Sequence, residues 1–187
     1  MRVIGGSLRR RTLEAPAGLS TRPTSDRLRE TLFNVLAPRI EGAHFLDLYA
    51  GSGAVGIEAV SRGAGRVVLV ERAAPALKVL RSNLEKLGLR AQVHVEAVSV
   101  GAFLRRGRPG GGETFDIVFM DPPYEAMSEY ELALRLLGRE TATFLTDHAV
   151  VVAEHRRKER LEDGYGVLAR TRTLEQGDAV LSFYKTA

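Results

Sequence analysis

The chain contains no cysteine and no tryptophan among its 187 residues, and aromatic residues make up only 6% of it. The absence of cysteine excludes disulfide bonds and thiolate-ligated metal sites. Four scattered histidines lack the spacing of metal ligands, so we predict no metal: His44, His94, His148 and His155. Metal-dependent and thiol-dependent enzymes are therefore not expected.

Long apolar runs are also missing. No segment is long enough to span a bilayer, and residues 1–6 lack the apolar core of a signal peptide. We therefore predict a cytoplasmic protein with no membrane partner. The apolar fraction of 44% is ordinary for a globular protein, and the length suits one domain with an appendage, which we expect to be a monomer.

Excess positive charge is absent from most of the chain. The net charge is +4, whereas residues 1–40 hold eight arginines against Glu14, Asp26 and Glu30, which makes +5 there and −1 elsewhere. Such a footprint is typical of a nucleic-acid contact, the alternative being a solvated arm. We predict that five of these arginines contact phosphates: Arg9, Arg10, Arg11, Arg22 and Arg27.

A glycine-rich stretch, residues 45–56, organises the rest of the chain. A short apolar run ends there in Gly51, Gly53 and Gly56, and a helical pattern follows. Glycine allows positive φ and the close approach of a ligand to the backbone. Glu71 closes the next apolar run, 20 residues after the first glycine, where a carboxylate meets a bound ribose. The pattern predicts a nucleoside-containing cofactor over this loop.

The identity of that cofactor depends on Asp47. The three glycines fit the dinucleotide fingerprint, and a strand-to-helix turn that binds nothing is a further alternative. Asp47, however, ends the strand four residues before Gly51, and a carboxylate suits an ammonium group better than a pyrophosphate. S-adenosylmethionine carries an ammonium and no phosphate. We therefore predict S-adenosylmethionine.

The N-terminal fifth is predicted to form a small extension. Residues 1–14 resemble a β-hairpin or an extended arm around a Gly-Gly-Ser turn. A helix should begin near Ser25 and run to about Leu36, before Pro38. Its polar stripe faces either solvent or the active site: Arg27, Glu30, Thr31 and Asn34. We place the domain boundary between residues 1–40 and 41–187.

Beyond residue 41, strand and helix patterns alternate, which predicts βαβ units and a mostly parallel sheet. The predicted strands are 44–49, 66–71, 92–96, 115–121, 149–154, 165–172 and 179–185, and the predicted helices are 53–62, 74–87, 98–105 and 128–138. The last two strands should form an antiparallel hairpin. This is the α/β layout of the class I methyltransferases, a Rossmann-like sheet of seven strands. The charged run at residues 155–160 is interpreted as a solvated face, with a contact to RNA as the lesser alternative.

The tetrapeptide Asp121-Pro122-Pro123-Tyr124 follows an apolar strand, at the sheet edge where α/β proteins bind ligands. Prolines offer carbonyls without N–H donors. Asp121 and the Pro122 carbonyl can therefore accept both hydrogens of a planar –NH₂ group and direct its lone pair toward a methyl donor. Tyr124 can stack on a base that has left its own stack. A purely structural turn is the alternative, but the nearby glycine loop makes an amino-methyltransferase the better interpretation.

At this point the sequence resembles a known family, the bacterial 16S ribosomal RNA guanine-N2 methyltransferases of the RsmD type. The resemblance covers nearly the whole chain. Its most specific stretch is residues 22–34, with Arg22-Pro23-Thr24, Arg27, Arg29-Glu30 and Leu32-Phe33-Asn34. The resemblance implies S-adenosylmethionine as donor, N2 of a guanine in 16S ribosomal RNA as acceptor, and free RNA or a small-subunit particle as partner.

Matched to the family pattern, the resemblance implies two sets of site residues. The catalytic residues would be Asp121, Pro122, Pro123 and Tyr124. The cofactor would be held by Asp47, Tyr49, Ala50, Gly51, Ser52, Gly53, Glu71, Ala97, Val98 and Asp121. One departure concerns the Asp or Asn that the family places near the adenine amine. That position falls on Glu96 or on Ala97 here, and with Ala97 only the backbone would meet the adenine.

Other functions remain open on the residues alone. The same –NH₂ chemistry serves DNA adenine N6 or a protein glutamine, although nothing beyond the core is long enough for a DNA target-recognition domain. The glycines alone favour an NAD(P)-dependent oxidoreductase. The basic arm alone favours a non-catalytic RNA-binding module.

Overall fold

The computed structural model describes residues 1–15, 25–106, 114–123, 127–140 and 144–186. Arg22 and Tyr124 lie outside these ranges, as does the Gly-Arg-Pro-Gly-Gly-Gly run at 107–112, whose composition predicts a loop. Within them, no helix combines the length and the apolar character needed to cross a membrane.

Five helices and eight strands alternate along the described chain. The helices are α1 (Asp26–Leu36), α2 (Ala54–Ser61), α3 (Ala74–Lys86), α4 (Val100–Arg105) and α5 (Met127–Leu137), with a 3-10 turn at Ala37–Arg39. The strands are β1 (His44–Asp47), β2 (Arg66–Val70), β3 (Val93–Glu96), β4 (Phe115–Met120), β5 (Leu145–Arg156), β6 (Gly164–Tyr165), β7 (Leu168–Gln176) and β8 (Ala179–Thr186). The order confirms the alternation that the sequence predicts.

The strands form one sheet in the order β3-β2-β1-β4-β5-β8-β7-β6. The first five are parallel, and β8 pairs antiparallel with both β5 and β7. The Rossmann-like fold and the antiparallel C-terminal hairpin are therefore confirmed.

The predicted count of seven strands is wrong by one. The strand expected at 165–172 is interrupted after Tyr165, where Gly166 has φ 61 and the chain turns back, so that Tyr165 pairs with Leu168. This positive φ favours glycine, and a two-residue turn of this kind joins adjacent antiparallel strands. Strand β5 is also longer than expected, because Leu145 pairs with Phe115 across a register shift.

Helix α1 begins where the sequence predicts. The Ser25 side chain accepts a hydrogen bond from the Leu28 backbone N–H at 3.1 Å and caps the helix. Its apolar stripe is buried against the sheet: Leu28, Leu32, Phe33 and Leu36.

The two faces of the sheet carry separate apolar layers. Alternate strand residues such as Phe45, Ile117 and Val152 pack with α1, α2 and α3. Their neighbours, such as Leu46 and Val118, pack with α4 and α5. This alternation follows from the two-residue period of a strand, and it decides which residues at the strand ends share a face.

The N-terminal residues form a small antiparallel hairpin on the α1–α3 face. The Val3 N–H donates to the Arg11 carbonyl at 3.0 Å, and the Leu13 N–H donates to that of Met1 at 2.9 Å. Val3 and Leu13 are buried in the same apolar cluster as the sheet. The division of the chain at residue 40 stays a prediction.

Candidate functional site

The carboxyl ends of the parallel strands gather the predicted site residues at one edge of the sheet. Strand β1 lies between β2 and β4, and Asp47 pairs with Leu69 on one side and Phe119 on the other. Glu71 and Asp121 each follow those partners by two residues. The register therefore places all three acidic residues at this edge, which we call the carboxyl edge.

The three glycines of the loop have different structural roles. Gly51 and Gly53 have φ 55 and 81, values that favour glycine. A side chain at Gly56 would lie 2.2 Å from Leu69, so that glycine lets α2 pack against β2. A side chain at Gly51 would meet nothing within 4 Å. The space above Gly51 is therefore open to a ligand, as in nucleotide-binding loops.

Glu71 ties this loop to the next one. Its carboxylate accepts the Gly51 N–H at 2.9 Å and the N–H groups of Arg72 and Ala73 at 2.8 and 2.7 Å. A carboxylate has about four acceptor positions, so capacity remains for a ligand hydroxyl. Glu71 is half-buried and reachable from the open side of the loop.

Asp47 is a buried carboxyl group beneath the loop, only 1% exposed. Burial raises the pKa of Asp47 to about 7, and the negative charges of Glu71 and Glu154 add to this effect, whereas hydrogen bonds from the Tyr49 and Gly56 backbones oppose it. A cation bound beside Asp47 would favour its ionised form. The arrangement is thus suited to an ammonium group and unsuited to a phosphate.

Glu154 is a site residue that the sequence reasoning missed. It follows Ala153 in β5, and Ala153 pairs with Met120, so Glu154 lies level with Asp121. By strand alternation, Asp47, Asp121 and Glu154 share the α1–α3 face. Glu154 is 9% exposed. The available signal was an acidic residue directly after the apolar run 149–153, the same pattern that identified Glu71.

Helix α5 braces the same edge from the other face. The Tyr49 hydroxyl donates to the Glu129 carboxylate at 2.9 Å, and the Tyr130 hydroxyl donates to the Glu154 carbonyl at 2.7 Å. Burial, with nearby Glu129, raises the pKa of the Tyr49 phenol, so Tyr49 remains a donor. These two bonds attach α5 to the second residue after β1 and to β5 two residues before its end.

The residues after β4 stand beside this assembly. Asp121 is half-buried, Pro122 is buried and Pro123 is exposed. Tyr124, which is predicted to stack on the target base, lies outside the described residues. In the part of the chain that the structure covers, no group of three or more His, Asp or Glu side chains is arranged to hold a metal ion.

Comparisons with known proteins agree with this geometry. The family model Conserved hypothetical protein 95 matches residues 1–185. YlbH of Bacillus subtilis is 38% identical over 99% of this chain and 98% of its own length. Ribosomal RNA small subunit methyltransferase D of Escherichia coli K12 is 39% identical over 82% of this chain and 74% of its own. This chain belongs to the RsmD family.

A solved structure shows that the fold is shared too. Protein TTHA0928 of Thermus thermophilus matches 100% of this chain and 99% of its own, with 32% identity and a TM-score of 0.82. More distant neighbours, at 20% identity and below, share the fold of methyltransferases, such as one from Pyrococcus horikoshii with a TM-score of 0.71.

The end of β3 and the segment after it hold the residues that are predicted to lie near the adenine in this RsmD-family chain. The Glu96 carboxylate lies 3.0 Å from the His94 ring and 3.6 Å from the Arg106 guanidinium, so it is engaged by neighbouring side chains. Ala97 is exposed and Val98 is half-buried, in the loop before α4. An adenine at this position would meet the backbone of Ala97 and Val98 rather than a free carboxylate.

The predicted RNA-contacting arginines within the described ranges are divided between the N-terminal hairpin and α1. Three of them are exposed on the N-terminal hairpin: Arg9, Arg10 and Arg11. The turn of this hairpin contacts the end of α2, where the Ser7 N–H donates to the Ser61 carbonyl at 2.7 Å. That end is about 10 Å from the glycine loop, at 1.5 Å per helical residue. Arg27 is exposed on α1. Arg22 lies outside the described residues.

One arginine of the basic N-terminal fifth is not on the surface. Arg29 is fully buried, as is Glu58, which lies 3.8 Å from its Nε. Desolvation lowers the pKa of Arg29, an effect that Glu58 and Asp26 oppose. The charge count along the sequence includes Arg29 in the nucleic-acid footprint, but its guanidinium is buried beside Glu58 and does not face solvent.

Proposed function

We propose that this chain transfers a methyl group from S-adenosylmethionine to the exocyclic N2 of a guanine in 16S ribosomal RNA. The observation that carries the proposal is the position of Asp121-Pro122-Pro123 beside the open glycine loop, on neighbouring strands. Membership of the RsmD family and the name of its Escherichia coli relative support a ribosomal RNA substrate.

The residues around the loop fit S-adenosylmethionine. Asp47 would hold the ammonium group and Glu71 the ribose hydroxyls, while the backbones of Ala97 and Val98 would meet the adenine. Tyr49 and residues 50–53 would form the wall around the open space above Gly51. Two carboxylates beside the loop disfavour the pyrophosphate of a dinucleotide. When bound, S-adenosylmethionine supplies an electrophilic methyl group on a sulfonium.

The residues after β4 would orient the guanine. Asp121 and the Pro122 carbonyl would accept the two N2 hydrogens and direct the nitrogen lone pair toward the methyl group. Holding the reacting atoms in line contributes much of the rate in such transfers. Asp121 can then accept the proton that N2 loses. Pro123 stiffens the chain, and Tyr124 would stack on the base.

The remaining residues of the proposal concern RNA. We propose that residues 1–40 form an RNA-contacting extension of the methyltransferase domain at 41–187, with phosphates bound by Arg9, Arg10, Arg11, Arg22 and Arg27. The partner would be 16S ribosomal RNA or the small-subunit particle, in the cytoplasm where ribosomes assemble, and the enzyme would act as a monomer.

The test is product identification. The protein, labelled S-adenosylmethionine and unmethylated small-subunit particles or 16S RNA are incubated, and the RNA is digested to nucleosides. We expect label in N2-methylguanosine with the wild-type protein and at least a hundredfold less with Asp121→Ala. In parallel reactions with DNA or with protein as the acceptor, label in N6-methyladenine or in glutamine would support the alternatives instead.

A second measurement separates the methyltransferase from the other function classes. Calorimetry should detect binding of S-adenosylhomocysteine and no binding of NADH. Binding of NADH alone would support an oxidoreductase, and RNA binding without either ligand would support a non-catalytic module.

A further inference from the structure

The segment that follows β5 carries a dense set of positive charges at the carboxyl edge. Residues 156–160, which we call the β5 basic loop, read Arg156-Arg157-Lys158-Glu159-Arg160. Arg157, Lys158 and Arg160 are exposed. The sequence alone favours a solvated face for this run and leaves a contact to RNA as the lesser alternative, and neither the N-terminal footprint nor the methyltransferase motifs include it.

The register places this loop beside the proposed reaction site. Glu154 lies level with Asp121, so Arg156 stands two residues further along the neighbouring strand. At about 3.3 Å per residue and 4.8 Å between strands, that is roughly 8 Å from Asp121 along the backbone. An RNA strand that delivers a base to Asp121 would therefore pass this loop.

The structure turns the one acidic residue of the run inward. The Glu159 carboxylate accepts the Arg156 N–H at 2.9 Å, and the Glu159 N–H donates to the Arg156 carbonyl at 2.9 Å. Arg157 is held by the β7–β8 turn, since its Nη2 donates to the Gly177 carbonyl at 3.0 Å. Lys158 and Arg160 form no ion pair with any residue in the described ranges.

Helix α1 extends the same surface. The Thr31 hydroxyl donates to the Gln176 side chain at 3.1 Å, and Gln176 pairs with Ala179, which in turn pairs with Arg156. Arg27 is exposed one helical turn before Thr31. Arg27 is thus the predicted RNA contact that the fold brings near the β5 basic loop.

We propose that the β5 basic loop, through Lys158 and Arg160, binds phosphates of the RNA strand that flanks the target nucleotide. The occupant is identified by charge complementarity, because exposed cations beside a base-binding site match a polyanionic backbone. This inference rests on the proposed function, which makes RNA the substrate. It goes beyond that function by assigning the main phosphate contact to a segment outside the N-terminal extension.

The test compares two double variants with the same change in charge. Lys158→Ala/Arg160→Ala removes the exposed cations of the loop. Arg66→Ala/Lys185→Ala removes one arginine and one lysine, both exposed, at the opposite edge of the same sheet, where Arg66 begins β2 and Lys185 pairs with Val150 of β5. Binding of unmethylated 16S RNA is measured from 50 to 300 mM salt, together with methyl transfer and S-adenosylhomocysteine affinity.

For the loop variant we expect a shallower salt dependence, by about 0.7–0.9 in log–log slope for each phosphate that the protein no longer binds. Its KM for RNA should rise while kcat and cofactor affinity stay near wild type. The control variant should keep the wild-type slope. Equal slopes for the loop variant and the wild type would overturn the proposal.

RNA binding and methyl transfer are measured separately, so the two proposals fail separately. A wild-type protein that binds RNA through the loop without methylating guanine would refute the proposed function and keep the inference. A wild-type protein that methylates guanine with no contribution from Lys158 and Arg160 would support the proposed function and refute the inference about the β5 basic loop.

Discussion

The two ends of α2 use similar chemistry for different purposes. At its start, the Glu71 carboxylate accepts three backbone N–H groups and holds the loop at Gly51. One turn before its end, the Glu58 carboxylate accepts the N–H groups of Ile4 and Gly5, each at 2.8 Å. Both acids fasten one segment of chain to another.

The Glu58 and Glu71 carboxylates differ in whether open space lies beside them. Glu58 is fully buried, and Arg29 and Arg62 neutralise it at 3.8 and 2.7 Å. Glu71 is half-buried and borders the space above Gly51. A saturated, enclosed carboxylate stabilises the fold, whereas a carboxylate with spare acceptor capacity beside open space is available to a ligand. We therefore expect changes at the two ends to separate stability from activity.

The largest effect should follow Glu58→Ala. It leaves the buried Arg29 guanidinium with only the exposed Asp26, 3.0 Å away, as its counter-charge, and removing one partner of a buried ion pair costs about 3–5 kcal/mol. The measurement is the free energy of unfolding in urea. Cofactor affinity of the folded fraction should be unchanged, and a loss below about 1 kcal/mol would show that the α2 end is less critical than its burial indicates.

Asp121→Ala should act in the opposite way, on turnover and not on folding. Loss of one preorganised contact to a transition state lowers the rate by about 10²–10³. Single-turnover methyl transfer measures the rate, and calorimetry with S-adenosylhomocysteine should show little change in affinity. Near wild-type turnover would contradict the role of Asp121 in orienting the amine.

Asp47→Asn tests the buried acid beneath the glycine loop. Removing a charged acceptor costs roughly 1.5–3 kcal/mol, so S-adenosylhomocysteine affinity at pH 8 should fall about 10- to 100-fold. Because the pKa of Asp47 is raised to about 7, wild-type affinity should also weaken as the pH falls below 7. A pH-independent affinity between 6 and 8 would contradict an Asp47–ammonium contact.

The raised pKa of Asp47 also predicts that the stability of the ligand-free protein falls as the pH rises, whereas its affinity for the cofactor rises. The folded-state pKa lies above the ordinary value, so the folded state holds the proton of Asp47 where the unfolded chain has lost it. The stability from this proton is present below about pH 4 and is lost as the pH rises through 7. Ligand-free Asp47→Asn should therefore melt at a higher temperature than the wild type at pH 8.

Glu71 variants refine the comparison at the open end. Glu71→Ala should weaken S-adenosylhomocysteine binding about 10- to 100-fold, through loss of ribose contacts worth roughly 1.5–3 kcal/mol. Glu71→Gln retains one oxygen acceptor and should weaken it less. If calorimetry shows equal and small losses of S-adenosylhomocysteine affinity for the two folded variants, Glu71 holds the glycine loop and does not contact the ribose.

The smallest effect is expected for Arg9→Ala/Arg11→Ala on the N-terminal hairpin. These arginines are exposed at the far end of α2, so their contacts would lie away from the reacting base. RNA affinity and its salt slope should fall by less than in Lys158→Ala/Arg160→Ala, with cofactor affinity intact. A larger loss from the hairpin variant would reverse the ranking of the two basic surfaces.

Local signals in the sequence determined much of this protein. Strand and helix periods predicted the parallel order, because each element must bury one face whatever its partners are. The glycine loop, Asp47, Glu71 and Asp121 were recognisable since each ends an apolar run, and parallel strands end at a common edge. The start of α1 was recognisable from its cap at Ser25.

Only the tertiary structure decided how charges are used. Nothing local distinguishes the buried Arg29 from the exposed Arg27, because the difference depends on Glu58, 29 residues further along the chain. Strand register places Glu154 and the β5 basic loop beside Asp121. A charge count along the chain reports where the arginines are in sequence, whereas pairing and packing determine which of them face solvent and which lie beside the reaction.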